Sequence, residues 1–213
     1  MIPESATKRP VCRHCLRPQR TCICLWVRPA GSIVDVLVLQ HPMEVDNAKG
    51  TARLLHLSLA GSRLLVGEVF DAEALHALLH ADGKQAVLLY PDTPEEKALG
   101  MTPAPPLPPE VLQEPSRLRL VVLDGTWRKS RKMLYLNPLL QQLPRLPLRD
   151  PPASQYLIRK AHGEHQLSTL EAVCHALAEL EGDGGKYQPL LQAFGGFVAQ
   201  QGAYAKAPPE FDN

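Results

Sequence analysis

One stretch, residues 118–133 (LRLVVLDGTWRKSRKM), constrains the fold more than any other. Leu118, Leu120, Val121, Val122 and Leu123 form an apolar run with β-branched content, which suits a strand buried on both faces better than a surface helix. Such strands belong to parallel sheets covered by helices. Asp124-Gly125 ends the run, and Thr126 can cap a helix that starts at Trp127 and carries Arg128, Lys129, Arg131 and Lys132. Open α/β sheets bind ligands at the C-terminal ends of their strands, and the bare N–H groups of a helix start favour an anion. The stretch therefore gathers an acid, an aromatic plate and four cations on one functional edge. Alone, Asp-Gly is a turn signal and a basic helix start is a solvated face, so the surrounding chain has to decide.

Residues 32–40 (SIVDVLVLQ) read as the first strand of the main domain, stopped by His41-Pro42. A helix is expected from Ala48 to about His56 with Asn47 as its cap, and Lys49-Gly50-Thr51 in its first turn is similar to an anion cradle but lacks the Walker pattern. Residues 64–70 form a second strand; Asp71 caps a helix striped by Leu75, Leu78 and Leu79; residues 85–90 are the next buried strand. The proline-rich segment 92–114 is a long surface connection or lid. Beyond the central stretch come a short helix (137–143), a short strand (145–148) and a helix over 169–181, where Ser168 and Glu171 form a capping box. An amphipathic helix over 187–201 follows. Strands alternating with helices specify an α/β fold, a mostly parallel sheet with helices on both faces.

Four of the five cysteines, Cys12, Cys15, Cys22 and Cys24, are spaced C-x2-C-x6-C-x-C. Four thiolates complete a tetrahedral Zn²⁺ shell and leave no open position, which makes the site structural; a redox pair or unconnected thiols are the alternatives. The expected organisation is a zinc knuckle over residues 1–28, a main domain over 29–205 and a tail over 206–213. The N-terminus carries no apolar signal segment, which argues for the cytoplasm and against disulfides. No run of 18 apolar residues occurs, so no membrane span is expected. A formal charge of +1 decides nothing about nucleic acid, but residues 1–28 hold six cations against Glu4 alone, and such local patches can bind phosphates.

The motif Asp124-Gly125-Thr126-Trp127 resembles the Asp-x-Thr-Trp signature of the DTW-domain family. The cysteine block, QHPMEVDNAKGTARLL (40–55), LLYPDTP (88–94), SQYLIRKA (154–161) and LSTLEAV (167–173) also resemble family blocks in family order, covering most of the chain. The resemblance implies a tRNA-uridine aminocarboxypropyltransferase with a SPOUT-like fold and a trefoil knot near the C-terminus, of which periodicity gives no sign. It implies S-adenosylmethionine as donor of a 3-amino-3-carboxypropyl group to uridine N3 at position 47 in the variable loop, with methylthioadenosine released; some relatives modify the D-loop. In that reading Asp124 is the base or the holder of the donor's amino group, and Thr126 and Trp127 complete the catalytic motif. Trp127 stacks on the base, walls off the adenosine or belongs to the core. Leu89, Tyr90, Pro91, Leu123, Tyr156 and Ser168 are the expected donor-binding positions, and Arg128, Lys129, Arg131, Lys132 and Arg159 the RNA contacts. His41 and Glu44 lie on the substrate face or in a plain turn. The partners expected are tRNA and the donor, with no DNA and no membrane. An RNA methyltransferase of the same fold, or a non-catalytic zinc-knuckle RNA-binding module, remain the alternatives.

Overall fold

The structure, a computed structural model, describes residues 10–91, 100–149, Ser154 and 167–206. In chain order it contains β1 (Ala30–Gly31), β2 (Asp35–Gln40), α1 (Ala52–Ser58), β3 (Leu59–Ala60), β4 (Arg63–Val66), α2 (Ala72–His80) and β5 (Gln85–Leu89). Then follow β6 (Leu118–Asp124), α3 (Trp127–Leu136), α4 (Pro138–Gln141), β7 (Arg145–Leu146), α5 (Thr169–Glu181) and α6 (Gln188–Lys206). The main sheet has the order β4-β2-β6-β5-β7, and every pairing in it is parallel. β1 and β3 form a separate parallel pair.

Alternation along the strands divides the core in two. Val36, Val38, Val87, Leu120 and Val122 face one side, where they pack with Leu54 and Leu55 of α1, Leu170, Val173 and Leu177 of α5 and Phe194 and Phe197 of α6. Leu37, Leu39, Leu88, Val121 and Leu123 face the other side, against Leu75 and Leu79 of α2, Met133 and Leu134 of α3 and Leu140 of α4. β6 is central and buried at all seven positions, which is why its sequence is almost continuously apolar.

Several boundaries differ from the sequence reading, each for a local reason. The helix expected from Ala48 begins at Ala52, because Asn47 accepts from the Lys49 N–H and closes a turn instead of capping a helix. β2 begins at Asp35 and not at Ser32: the N–H groups of Ile33 and Val34 donate to the Glu181 carboxylate rather than to a neighbouring strand. The strand expected over 64–70 stops at Val66, where the Gly67 N–H turns to the Gln40 carbonyl. The terminal helix runs on to Lys206. The segment 155–166, on which Tyr156 and Arg159 fall, lies outside the described residues, as does 92–99 of the connection. Among the described residues no helix is long and apolar enough to cross a membrane.

Candidate active site

Register builds the site. Gln40 and Asp124 are Cα partners at the C-terminal ends of β2 and β6, so their side chains leave the sheet on the same face. The Gln40 Nε2 donates to Asp124 Oδ2 at 2.9 Å. From α5, the Thr169 hydroxyl donates to Oδ1 at 2.6 Å. Asp124 is only 5% exposed, and each of its two oxygens accepts a hydrogen bond. Leu170 N–H in turn donates to the Thr51 hydroxyl, which ties the start of α5 to the loop ahead of α1.

A cavity of ≈ 210 Å³ opens beside Asp124. One wall is the loop after β2, with Glu44, Asn47, Gly50 and Thr51; another is the turn from β6 into α3, with Thr126; the third is the start of α5, with Ser168 and Thr169. Thr126 caps α3 through the Lys129 N–H, and Ser168 caps α5 in a complete capping box with the buried Glu171. Two helix N-termini therefore face a cavity that also holds two buried carboxylates, Asp124 and Glu44. One cavity thus has groups that favour an anion and groups that favour a cation in its lining, which suits a zwitterion. A second cavity, ≈ 290 Å³, lies at the N-terminal edge of the sheet. Its two carboxylates are matched, Asp35 by Arg119 at 2.6 Å and Asp82 by Arg63 at 3.3 Å.

The basic helix start is partly turned inward. Lys129 Nζ bonds Glu44 Oε1 at 2.7 Å, and Asn47 donates to the other Glu44 oxygen at 2.7 Å. Lys132 bridges to Glu68 at 2.9 Å, and that carboxyl is held below its ordinary range by hydrogen bonds first from Lys132 and then from His41. The His41 Nδ1 accepts from the Met43 N–H, so its proton sits on Nε2 and is donated to Glu68 at 2.8 Å. Arg128 is exposed and Arg131 half-buried. Trp127 is 45% exposed, with one edge against the ring of Tyr90 at 5.7 Å between centroids. The buried Tyr90 is covered by the Arg145 guanidinium at 5.1 Å.

At the other end of the chain the four cysteines converge, with all sulfurs within 4.8 Å of one another. Cys12 to Cys24 and Cys15 to Cys22 are both 3.7 Å apart. A tetrahedron with Zn–S bonds of about 2.3 Å has edges of about 3.8 Å, whereas a disulfide needs about 2.05 Å. Backbone N–H groups of Cys15 and His14 draw the Cys12 thiol down to about 6, while burial and the adjacent sulfurs push Cys24 up to about 12. Four sulfurs this crowded ionise together only around a cation, so the donor set fits zinc.

Of the expected positions, the structure brings Asp124, Thr126 and Ser168 to one cavity and leaves Trp127 outside its lining. Leu89, Tyr90, Pro91 and Leu123 do not line that cavity; Leu123 is packed in the core. The sequence reading overlooked Gln40 and Thr169, gave Asn47 as a helix cap and left Glu44 as a substrate-face or turn residue. A polar Gln directly after the apolar run 36–39 was the available signal.

The family model described as DTW domain matches residues 9–202. The tRNA-uridine aminocarboxypropyltransferase 2 of Mus musculus is 30% identical over 98% of this chain and 70% of its own length. The protein of the same name from Drosophila melanogaster is 33% identical over 84% of this chain and 69% of its own. The tRNA-uridine aminocarboxypropyltransferase A of Arabidopsis thaliana is 25% identical over 93% and 83%, respectively. No solved structure matches the chain.

Proposed function

The chain belongs to the DTW-domain family, and from that membership we propose that it transfers a 3-amino-3-carboxypropyl group from S-adenosylmethionine to N3 of a uridine in tRNA. The relatives' names support the reaction class, and one observation supports its location: a buried, doubly hydrogen-bonded carboxylate, Asp124, opens onto a polar cavity at the C-terminal edge of the sheet. The finer expectations, a SPOUT-like knotted fold and a variable-loop target at position 47, rest on family resemblance alone.

Asn47, Thr51, Ser168 and Thr169 would hold the donor's amino-acid end, which is the zwitterion that the cavity's mixed charge suits. When bound, the donor supplies a carbon whose bond to a positively charged sulfur breaks readily, with methylthioadenosine leaving. Asp124 accepts the uridine N3 proton as the new N3–carbon bond forms; proton transfer of this kind contributes about 10²–10⁴-fold. Trp127 offers its exposed ring to an unpaired base, with Arg128 and Arg131 beside it for phosphates and Lys129 and Lys132 shaping the acidic wall. Cys12, Cys15, Cys22 and Cys24 would hold a structural zinc ion.

The test is incubation of the protein with unmodified tRNA and S-adenosylmethionine, followed by mass analysis of nucleosides and small products. Aminocarboxypropyluridine with methylthioadenosine is expected. Methylated nucleoside with S-adenosylhomocysteine would establish the methyltransferase alternative, and tRNA binding without any product would leave the binding module.

A further inference from the structure

The arginines of the knuckle read in sequence as phosphate contacts, but Arg17 is turned inward. Its backbone carbonyl accepts from the Cys12 N–H at 2.8 Å, inside the turn that carries the first two metal-ligand candidates. Its guanidinium donates through Nη1 to the Ala48 carbonyl at 2.7 Å and through Nη2 to the Gly50 carbonyl at 2.8 Å, with the Phe197 ring 5.5 Å away. A fork of this kind fixes two acceptors at once, in a segment that has no helix or strand partners for them. A second tie runs beside it, from Arg53 of α1 to the Cys15 carbonyl at 3.4 Å.

The loop receiving this fork has little slack. Gly50 N–H bonds the Asn47 carbonyl at 2.8 Å, and a Cβ on Gly50 would stand 3.1 Å from that oxygen and 3.3 Å from the Glu44 carbonyl. The next residue, Thr51, accepts from Leu170, whose neighbour Thr169 donates to Asp124. A continuous set of bonded contacts thus leads from the cysteine turn to the proposed catalytic acid. We propose that Arg17 is a positioning residue for the transfer: held by the metal knuckle, it sets the Glu44–Thr51 wall of the cavity and, through Thr51 and the first turn of α5, the orientation of Asp124. The proposal rests on the transferase reading for its kinetic part, while the mechanical part stands on the contacts themselves.

The experiment compares zinc-loaded wild type with Arg17→Ala and Arg17→Lys. In Arg17→Ala, amide exchange at Gly50 and Leu170 should quicken by about tenfold or more, while Cys12 and Leu16 in the knuckle keep their protection and metal content is unchanged. The kcat should fall by about 10- to 100-fold and KM for the donor should rise, with KM for tRNA unmoved. Arg17→Lys, which reaches a single carbonyl, should lie between the two. Unchanged exchange at Gly50 and Leu170 overturns the proposal, and so does a loss confined to KM for tRNA, which makes Arg17 a phosphate contact. Should wild type transfer nothing, equilibrium binding of S-adenosylmethionine replaces turnover: weaker binding by Arg17→Ala carries the proposal, and equal binding overturns it. In that event the failed reaction counts against the transferase reading and not against Arg17.

Discussion

Asp124 is a buried acid whose two oxygens each accept one bond, from Gln40 and from Thr169. Asp124→Asn removes the charge and turns an amide NH₂ toward one of those donors. Transfer should fall by about 10²–10⁴-fold, and stability by about 1–3 kcal/mol for the unmatched polar contact. Binding of S-adenosylmethionine, measured by calorimetry, separates the two roles of the carboxylate: affinity survives if Asp124 takes the uridine proton, and drops if it anchors the donor's ammonium. We expect survival. Trp127 poses a different question, since it is 45% exposed and touches Tyr90 only by its edge. Trp127→Ala should therefore weaken tRNA binding by about 1–3 kcal/mol, the worth of one stacked base, with little change in melting temperature. A large loss of melting temperature with intact affinity would make it a packing residue.

Among the elements, α5 does the most joining. Its first turn supplies Thr169 to the site, and its last residue, Glu181, closes the opposite edge. One Glu181 oxygen accepts from Ser32, Ile33 and Val34, and the other from Lys186 and Tyr187. Burial works to raise this carboxyl, but the bonds from Lys186, Val34, Tyr187 and Ile33 outweigh it and hold the group below the usual range. A depressed folded-state value adds stability that is fully present above the unfolded value of about 4.3 and is lost as pH falls through the folded value. Glu181→Gln should therefore be less stable than wild type near neutral pH, and the gap should narrow towards about pH 3. Urea midpoints across that range check it; a gap independent of pH would mean that charge plays no part. The same residue explains a limit of sequence reading. Helices with local signals were legible: Ser168 with Glu171 and Asp71 with Ala74 N–H cap where their spacing predicted. The parallel sheet was legible in the apolar run of β6. What decides the start of β2 is a side chain 147 and 148 positions away from the N–H groups it accepts from, and the pairing of Gln40 with Asp124 is a matter of register; neither leaves a local pattern. Asn47 offered the right cap chemistry and spent it on a turn, a competition that short-range signals do not resolve.

Taken as one molecule, the cysteine segment is not a bead on a string. Cys15 and Ile23 are fully enclosed in the same apolar cluster as Phe194 and Phe197, and Trp26 lies on the Gly196 face of α6. Trp26 Nε1 donates to Gln200 at 2.7 Å, Gln200 donates back to the Cys22 carbonyl at 3.2 Å, and the Tyr204 hydroxyl bonds the Arg20 carbonyl. Stripping the proposed zinc should therefore lower the main melting transition of the whole chain instead of producing a separate early one, which calorimetry with and without chelator reads directly. Gly196 sharpens that prediction. A Cβ there would stand 2.1 Å from Trp26 Cζ3, a clash with a rigid ring, so Gly196→Ala should cost about 1–3 kcal/mol in the metal-loaded protein. We expect removal of the metal to loosen Trp26 from α6. In the stripped protein the ring is released, and the same substitution should cost much less, because alanine suits a helix better than glycine. The two perturbations are thus expected to be non-additive, as for groups that share one contact; an equal cost of Gly196→Ala with and without metal would mean that Trp26 keeps its seat unaided and that the knuckle is fastened by packing alone.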